Sequence, residues 1–210
     1  MQRHPGWATY VGDHRWGDKL EDGSAEAEAQ AYADRRSQRA QALSLARSGL
    51  NATDRTSLDL FVQGIDQSLM FEPLVGYRRM SLGANGGFHT EFADLLQASP
   101  VNTAAAVENY LARLAAYPRR LEQELVALRQ GLALGWVPPK AVLQRVLTSI
   151  DTQLNAALDS GPFLAPLATM GQPGNAIAAP EQAALRERAR RLVSEQVLPA
   201  QRRLRDFVAG

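Results

Sequence analysis

The chain of 210 residues contains no cysteine and only three histidines, His4, His14 and His89. The lack of cysteine excludes disulfides, thiolate nucleophiles and thiolate-ligated zinc. No run of 18 apolar residues is present, so the sequence predicts no membrane-spanning helix. The first residues also lack the apolar segment that a secretory signal peptide requires.

Net charge is almost absent, because 23 basic residues are balanced by 22 acidic ones, for a formal charge of +1. Such a chain has no overall field that would attract nucleic acid or an anionic membrane. Arginines are concentrated between residues 186 and 205, but acidic residues alternate with them. This pattern is typical of a solvated helix face, and we expect no nucleic-acid partner.

Apolar residues recur at helical spacing over most of the chain, which predicts an all-α fold, an irregular bundle of about five helices. Ser24 and Thr103 are candidate N-caps, and Pro118 is expected to kink or divide the third helix. The five predicted helices lie at about residues 25–48, 54–72, 103–132, 139–158 and 180–208.

Two regions interrupt the helical period. Residues 74–102 contain a glycine cluster, which favours a long loop or a small hairpin between residues 75 and 92. Residues 159–179 are rich in Gly, Pro and Ala and are expected to be linker-like. We expect residues 1–210 to form a single helical domain or the N-terminal fragment of a larger protein, because the last apolar stripe continues through Phe207 and Val208.

No catalytic or metal-binding pattern is complete. A zinc helix of the H-E-x-x-H type needs two histidines four residues apart, and no two of the three histidines have this spacing. Nucleophile elbows and phosphate-binding glycine loops are also missing from the sequence. The sequence therefore predicts no catalytic residue, no metal ligand and no cofactor in this chain.

Gly86, Gly87, Phe88 and His89 are the best candidates for the edge of a binding cleft. Adjacent glycines let the backbone approach a ligand closely, and His89 follows an aromatic residue within the same loop. The structural alternative is a tight turn in which the glycines supply positive φ angles.

Asp13, His14 and Arg15 are weaker candidates for a substrate cleft. In the structural alternative Asp13 forms a turn and Arg15 is its ion-pair partner, while nearby aromatic residues serve as packed anchors. Those aromatic residues are Trp7, Tyr10 and Trp16.

Several short motifs occur in an order and with separations that are more specific than any one of them. They are PGWATYVGDHRWGDKLED at residues 5–22, NYLARLAAYP at 109–118, Gly131, Gly135 and VPP at 137–139, SGPF at 160–163 and VLPA at 197–200. Taken together they resemble the opening third of the bacterial family called "domain of unknown function 885".

Members of that family resemble zinc metallopeptidases of the gluzincin type, related to angiotensin-converting enzyme. The resemblance implies a helical region beside a peptidase cleft, with the H-E-x-x-H helix and its zinc expected only in a downstream part. The implied partner is this catalytic region or, without it, a second copy of the chain. The alternative is a stand-alone helical binding or scaffold module. Family members are often exported or lipoproteins, so the resemblance leaves the compartment of this chain open.

Overall fold

A computed structural model describes residues 2–172, 174 and 177–210. The described part is all-α apart from one two-stranded hairpin, as predicted, but it contains nine α-helices, so the expected number of about five is wrong. The helices are α1 (Pro5–Tyr10), α2 (Ala25–Leu43), α3 (Ala52–Met70), α4 (Val75–Arg78), α5 (Phe88–Ala98), α6 (Ala104–Ala133), α7 (Lys140–Asn155), α8 (Ala179–Leu192) and α9 (Leu198–Ala209), and the strands are β1 (Leu82–Gly83) and β2 (Gly86–Gly87).

Short helices explain the difference in number. α1, α4 and α5 form in regions where glycines and aromatic residues obscure the helical period, and the last predicted helix is divided into α8 and α9. A π-turn at Val193–Val197 joins these two helices.

The longest helix, α6, is the axis of the fold. It has 30 residues and is capped by Thr103, whose hydroxyl accepts a hydrogen bond from the backbone N–H of Ala106 at 3.1 Å. Pro118 lies inside α6 without dividing it. Leucines on both sides of the proline are buried in the same core, and their burial outweighs the roughly 3 kcal/mol that an internal proline costs.

The core lies where α6 packs against α8 and α9, and α7 packs against α9. The segment expected to be linker-like contributes to it: a 3₁₀ helix at Ala165–Gly171 buries Leu167 and Met170. Phe163 is also buried there, and its carbonyl oxygen accepts a 2.8 Å hydrogen bond from the hydroxyl of Tyr110. The rest of that prediction, at residues 173, 175 and 176, lies outside the described residues.

Helices α2 and α3 form an antiparallel pair that packs mainly on itself. Ser24 caps α2, as predicted, by accepting a hydrogen bond from the backbone N–H of Ala27 at 3.2 Å. Ile65 is the one buried residue of α3. The pair is tied to the rest of the fold by ion pairs between Glu28 and both Arg78 and Arg79.

Phe207 and Val208, near the end of α9, are half-buried and pack against the core. The guanidinium of Arg129 lies 5.7 Å from the ring centre of Phe207. Within the part of the chain that the structure describes, no helix combines the length and the apolar character needed to cross a membrane.

Candidate functional site

The glycine loop between residues 82 and 89 forms a β-hairpin followed directly by α5. Leu82 pairs with Gly87 and Gly83 with Gly86. Gly87 has a φ of 139°, and a Cβ at this position would overlap the carbonyl oxygen of Ser81. The hairpin therefore requires glycine for backbone reasons, which is the structural alternative considered above.

Phe88 and His89 begin α5 and point into the protein. Phe88 stacks on Tyr117 with ring centres 6.3 Å apart. His89 is only 3% exposed, and its Nδ1 has no hydrogen-bond partner among the described residues. Burial lowers the pKa of His89, against a smaller opposite effect of Asp94, so the imidazole is neutral near pH 7. Its role at a cleft edge stays a prediction.

Asp13 and Arg15 form a local turn. Asp13 caps a 3₁₀ helix at His14–Trp16 by accepting a hydrogen bond from the backbone N–H of Arg15. The guanidinium of Arg15 also donates two hydrogen bonds to the carboxylate of Asp13, at 2.7 and 2.8 Å. The side-chain hydrogen bonds from Arg15 lower the pKa of Asp13 to about 2. His14 is exposed beside this pair.

The aromatic residues near this turn do not all act as packed anchors. Trp7 is 61% and Tyr10 is 53% exposed, whereas Trp16 is half-buried. The N-terminal segment is therefore held by something other than its aromatic rings.

A fully buried arginine, Arg113 on α6, holds this segment. Its guanidinium donates hydrogen bonds to the hydroxyl of Thr9 at 2.6 Å, to the hydroxyl of Ser99 at 2.7 Å and to the carbonyl oxygen of Lys19 at 3.0 Å. Desolvation lowers the pKa of Arg113, and Glu21 is the strongest of the nearby charges that raise it. Sequence reasoning missed this residue, although it lies three positions after Tyr110 and four before Tyr117, on the buried face of α6.

One cleft has a volume of about 940 Å³, within the usual range of ligand-binding pockets. Most of its lining residues are charged or polar, and we call it the polar cleft. It lies between an irregular segment, residues 19–24, which we call the strap, and the neighbouring parts of α2, α4 and α6. The strap is fixed to α6 by Gln123, whose side-chain oxygen accepts from the backbone N–H of Gly23 at 2.9 Å and whose amide donates to Asp22 at 2.8 Å.

Three guanidiniums, from Arg78, Arg79 and Arg120, line one side of the cleft, and we call them the arginine wall. Arg78 and Arg79 share one carboxylate, that of Glu28, which Arg79 contacts at 2.7 and 3.1 Å. Burial of Glu28 raises its pKa, but the hydrogen bonds and charges of the two arginines outweigh this effect and hold the pKa below its usual value.

The third guanidinium, of Arg120, donates from Nη2 to Glu124 at 2.9 Å, and Glu124 also accepts from the hydroxyl of Ser81. Its face lies 4.8 Å from the ring centre of Phe88. Its other terminal nitrogen, Nη1, is buried and meets no acceptor in the described ranges. The same holds for Nε of Arg78.

An exposed aromatic face lies near the ends of α3 and α6. The rings of Phe71 and Tyr77 stack with centres 5.6 Å apart, and the indole of Trp136 packs so closely on Gly76 that a side chain there would overlap it. Phe71, Tyr77 and Trp136 are 42%, 51% and 47% exposed. We call these three residues the aromatic face.

No group of three or more histidine, acidic or cysteine side chains is arranged to hold a metal ion in residues 2–172, 174 and 177–210. The fold and the cleft thus define a helical protein with a polar, arginine-lined pocket and an exposed aromatic face.

Residues 5–210 match the model of a family described as "Bacterial protein of unknown function (DUF885)", and the chain belongs to this family. No curated protein matches the chain.

Among solved structures, the chain is similar to "the putative lipoprotein from Colwellia psychrerythraea", with 14% sequence identity and a TM-score of 0.84. The match covers 99% of this chain but 38% of that one, so the chain spans well under half the length of this relative. At this identity the likeness shows a shared fold alone.

Proposed function

We propose that this chain is the non-catalytic, N-terminal helical portion of a zinc metallopeptidase-like hydrolase, and that it packs against a separate catalytic region. The aromatic face carries the proposal, because it is an exposed apolar surface at the junction of two helices. Family membership and a fold that recurs within a longer protein support it. The peptidase activity itself comes from the resemblance of the family to gluzincins.

The aromatic face is large enough to be an interface. A Phe, Tyr or Trp side chain covers about 150–250 Å², so three rings that are about half exposed present roughly 300 Å². Apolar patches of several hundred Å² on soluble proteins usually mark binding surfaces. Leu74 and Val75 are also exposed next to the rings and extend the surface.

In this proposal the catalytic region supplies the zinc ligands and the general base. This chain contributes the polar cleft, which would lie beside the substrate. A neutral, buried His89 fits such a division, because it supports α5 and the hairpin without acting as a ligand.

A stand-alone scaffold module is the second candidate, and the coverage of α9 favours it. The apolar stripe of this helix is buried at Ala200 and Leu204 and half-buried at Phe207 and Val208. Other parts of the chain therefore cover most of the apolar stripe of α9.

The test begins with the genomic reading frame beyond the codon for Gly210, where the proposal expects an H-E-x-x-H segment. The longer product is then purified, its zinc is measured by plasma mass spectrometry, and its activity is assayed on quenched fluorescent peptides. We expect one zinc per chain and peptide cleavage. The 210-residue chain alone is expected to have neither.

The aromatic face is tested in the longer product with Tyr77→Asp and Trp136→Asp. Leu60→Asp on α3 is the matched control, because Leu60 is also exposed, at 62%, but lies outside the aromatic face. We expect the first two variants to lower the melting temperature and the activity, and the control to leave both unchanged. A frame without H-E-x-x-H, or a longer product without zinc, would refute the peptidase proposal and favour the scaffold.

A further inference from the structure

We infer that the polar cleft of this chain binds the carboxyl terminus of a peptide, with the arginine wall holding the carboxylate. The inference concerns binding by this chain alone and does not depend on the proposed peptidase activity.

The first argument is the charge balance of the arginine wall. Three guanidiniums meet two carboxylates, because Arg78 and Arg79 share Glu28 while Arg120 pairs with Glu124. The charge of Glu91 also acts on Arg120, but the direct ion pairs of the arginine wall engage two carboxylates for three guanidiniums. A further carboxylate is the simplest group that would give each guanidinium a partner of its own.

The second argument is the geometry of Arg120. One edge of its guanidinium is held by Glu124 and its face lies on the Phe88 ring, so its orientation is fixed. Its buried Nη1 has no acceptor among the residues described, and a buried charged donor without an acceptor is costly. A planar guanidinium with a free edge is well suited to bind a carboxylate.

The strap gives the ligand access to this edge. Gly23 lies directly over the guanidinium, since a Cβ at this position would be 2.6 Å from Nη1 of Arg120. The strap has no helix or strand between Gly17 and Ser24, and Gln123 fixes it through side-chain hydrogen bonds. A small movement of the strap would open Nη1 to the cleft.

Other residues of the cleft favour a peptide over a phosphate. Glu21, Asp22 and Glu26 also line the cleft, and these acidic groups would repel a dianion more strongly than the single charge of a carboxylate. They can instead accept hydrogen bonds from the N–H groups of a peptide. The volume of about 940 Å³ has room for several residues.

The test is isothermal titration of the 210-residue chain with N-acetyl-trialanine as the free acid, with the corresponding amide and with inorganic phosphate. We expect the acid to bind about tenfold more tightly than the amide, because the amide lacks the charge. We also expect the acid to bind more tightly than phosphate. Equal affinity for acid and amide, no binding of the acid, or tighter binding of phosphate would overturn the inference.

Variants then locate the site. Arg120→Gln should weaken binding of the acid about tenfold, whereas Arg119→Gln, an exposed neighbour on α6 outside the cleft lining, should change it by less than about twofold. Circular dichroism checks that each variant is folded. If Arg120→Gln does not fold, Arg120→Lys decides, because it keeps the charge but loses the planar fork, and it should also bind about tenfold more weakly. Unchanged affinity in the deciding variant, or an equal loss in Arg119→Gln, would contradict the assignment.

Discussion

Replacement of Arg113 is expected to release the N-terminal segment from α6. Its guanidinium is fully buried and joins three parts of the chain that are distant in sequence: Thr9 in α1, Lys19 in the strap and Ser99 after α5. In Arg113→Ala these three short hydrogen bonds are lost together with two longer ones, and the hydroxyl and carbonyl groups that accepted them lose this donor and face a cavity.

The size of the effect follows from these contacts. A hydrogen bond to a charged group contributes about 1.5–3 kcal/mol, so three of them represent roughly 5–9 kcal/mol. Part of the lost stability is offset, because the variant no longer pays the cost of burying a guanidinium. The lowered pKa of Arg113 reflects this cost of desolvation. We therefore expect a net loss of about 3–5 kcal/mol in the free energy of unfolding for Arg113→Ala.

Urea denaturation followed by circular dichroism measures this loss, and hydrogen exchange locates it. Amides of residues 5–20 should lose protection, while those of α7 and α9 keep most of theirs. Thr9→Val provides a double-mutant cycle, and its effect should largely disappear in the Arg113→Ala background. A loss below about 1 kcal/mol, or additive effects in the cycle, would show that Arg113 does not hold the segment.

Gly87→Ala should destabilise the protein by roughly 2–4 kcal/mol in urea denaturation, because the residue has a φ of 139° and a Cβ would overlap the Ser81 carbonyl oxygen. The control is Gly64→Ala, in open space on α3, which should stabilise the protein by about 0.5–1 kcal/mol. A similar effect of both substitutions would refute the backbone argument. The carboxyl carbon of Asp13 should titrate by NMR with a pKa of about 2, so its contribution to stability is present above pH 3.8 and is lost as the pH falls towards 2. Arg15→Gln should return that pKa towards 3.8, and no change would contradict the ion pair. Because burial lowers the pKa of His89, the free energy of unfolding should fall as the pH decreases below 6.5. In His89→Leu this free energy should depend less steeply on pH, and an unchanged dependence would contradict the prediction.

The all-α class and the helix starts at Ser24 and Thr103 could be predicted because they depend on local chemistry. An N-cap is decided by one side chain and the backbone N–H three residues later, and both caps are confirmed. Pro118 was expected to kink or divide the helix, and the division does not occur, because burial of residues on both sides is a tertiary effect that sequence spacing does not weigh against a lost hydrogen bond.

The candidate site was harder to predict because it depends on contacts between distant residues. Arg78 and Arg79 meet Glu28 across about 50 positions, and Arg113 reaches Thr9 across 104. Helical periodicity shows which face of a helix is buried but not which polar groups meet there. Gly86, Gly87, Phe88 and His89 shape a hairpin and the start of α5, and their role at the edge of a cleft stays a prediction.

The π-turn at Val193–Val197 has a consequence for chain length. Leu185, Ala189, Val193 and Val197 are all buried and each lies four residues after the previous one, whereas an α-helix returns to the same face every 3.6 residues. Each step of four therefore drifts by about 40° around the helix, and the widened turn compensates for the accumulated drift.

The wide turn thus keeps α8 and α9 in phase with one core while holding one residue more than a regular helix would. If the same five residues closed into a regular α-helix, α9 would rotate by roughly 90°. Leu204 would then turn away from α6, and charged neighbours would turn towards it. Removing one residue between Val193 and Val197 would instead restore a regular helix with α9 nearly in its present phase.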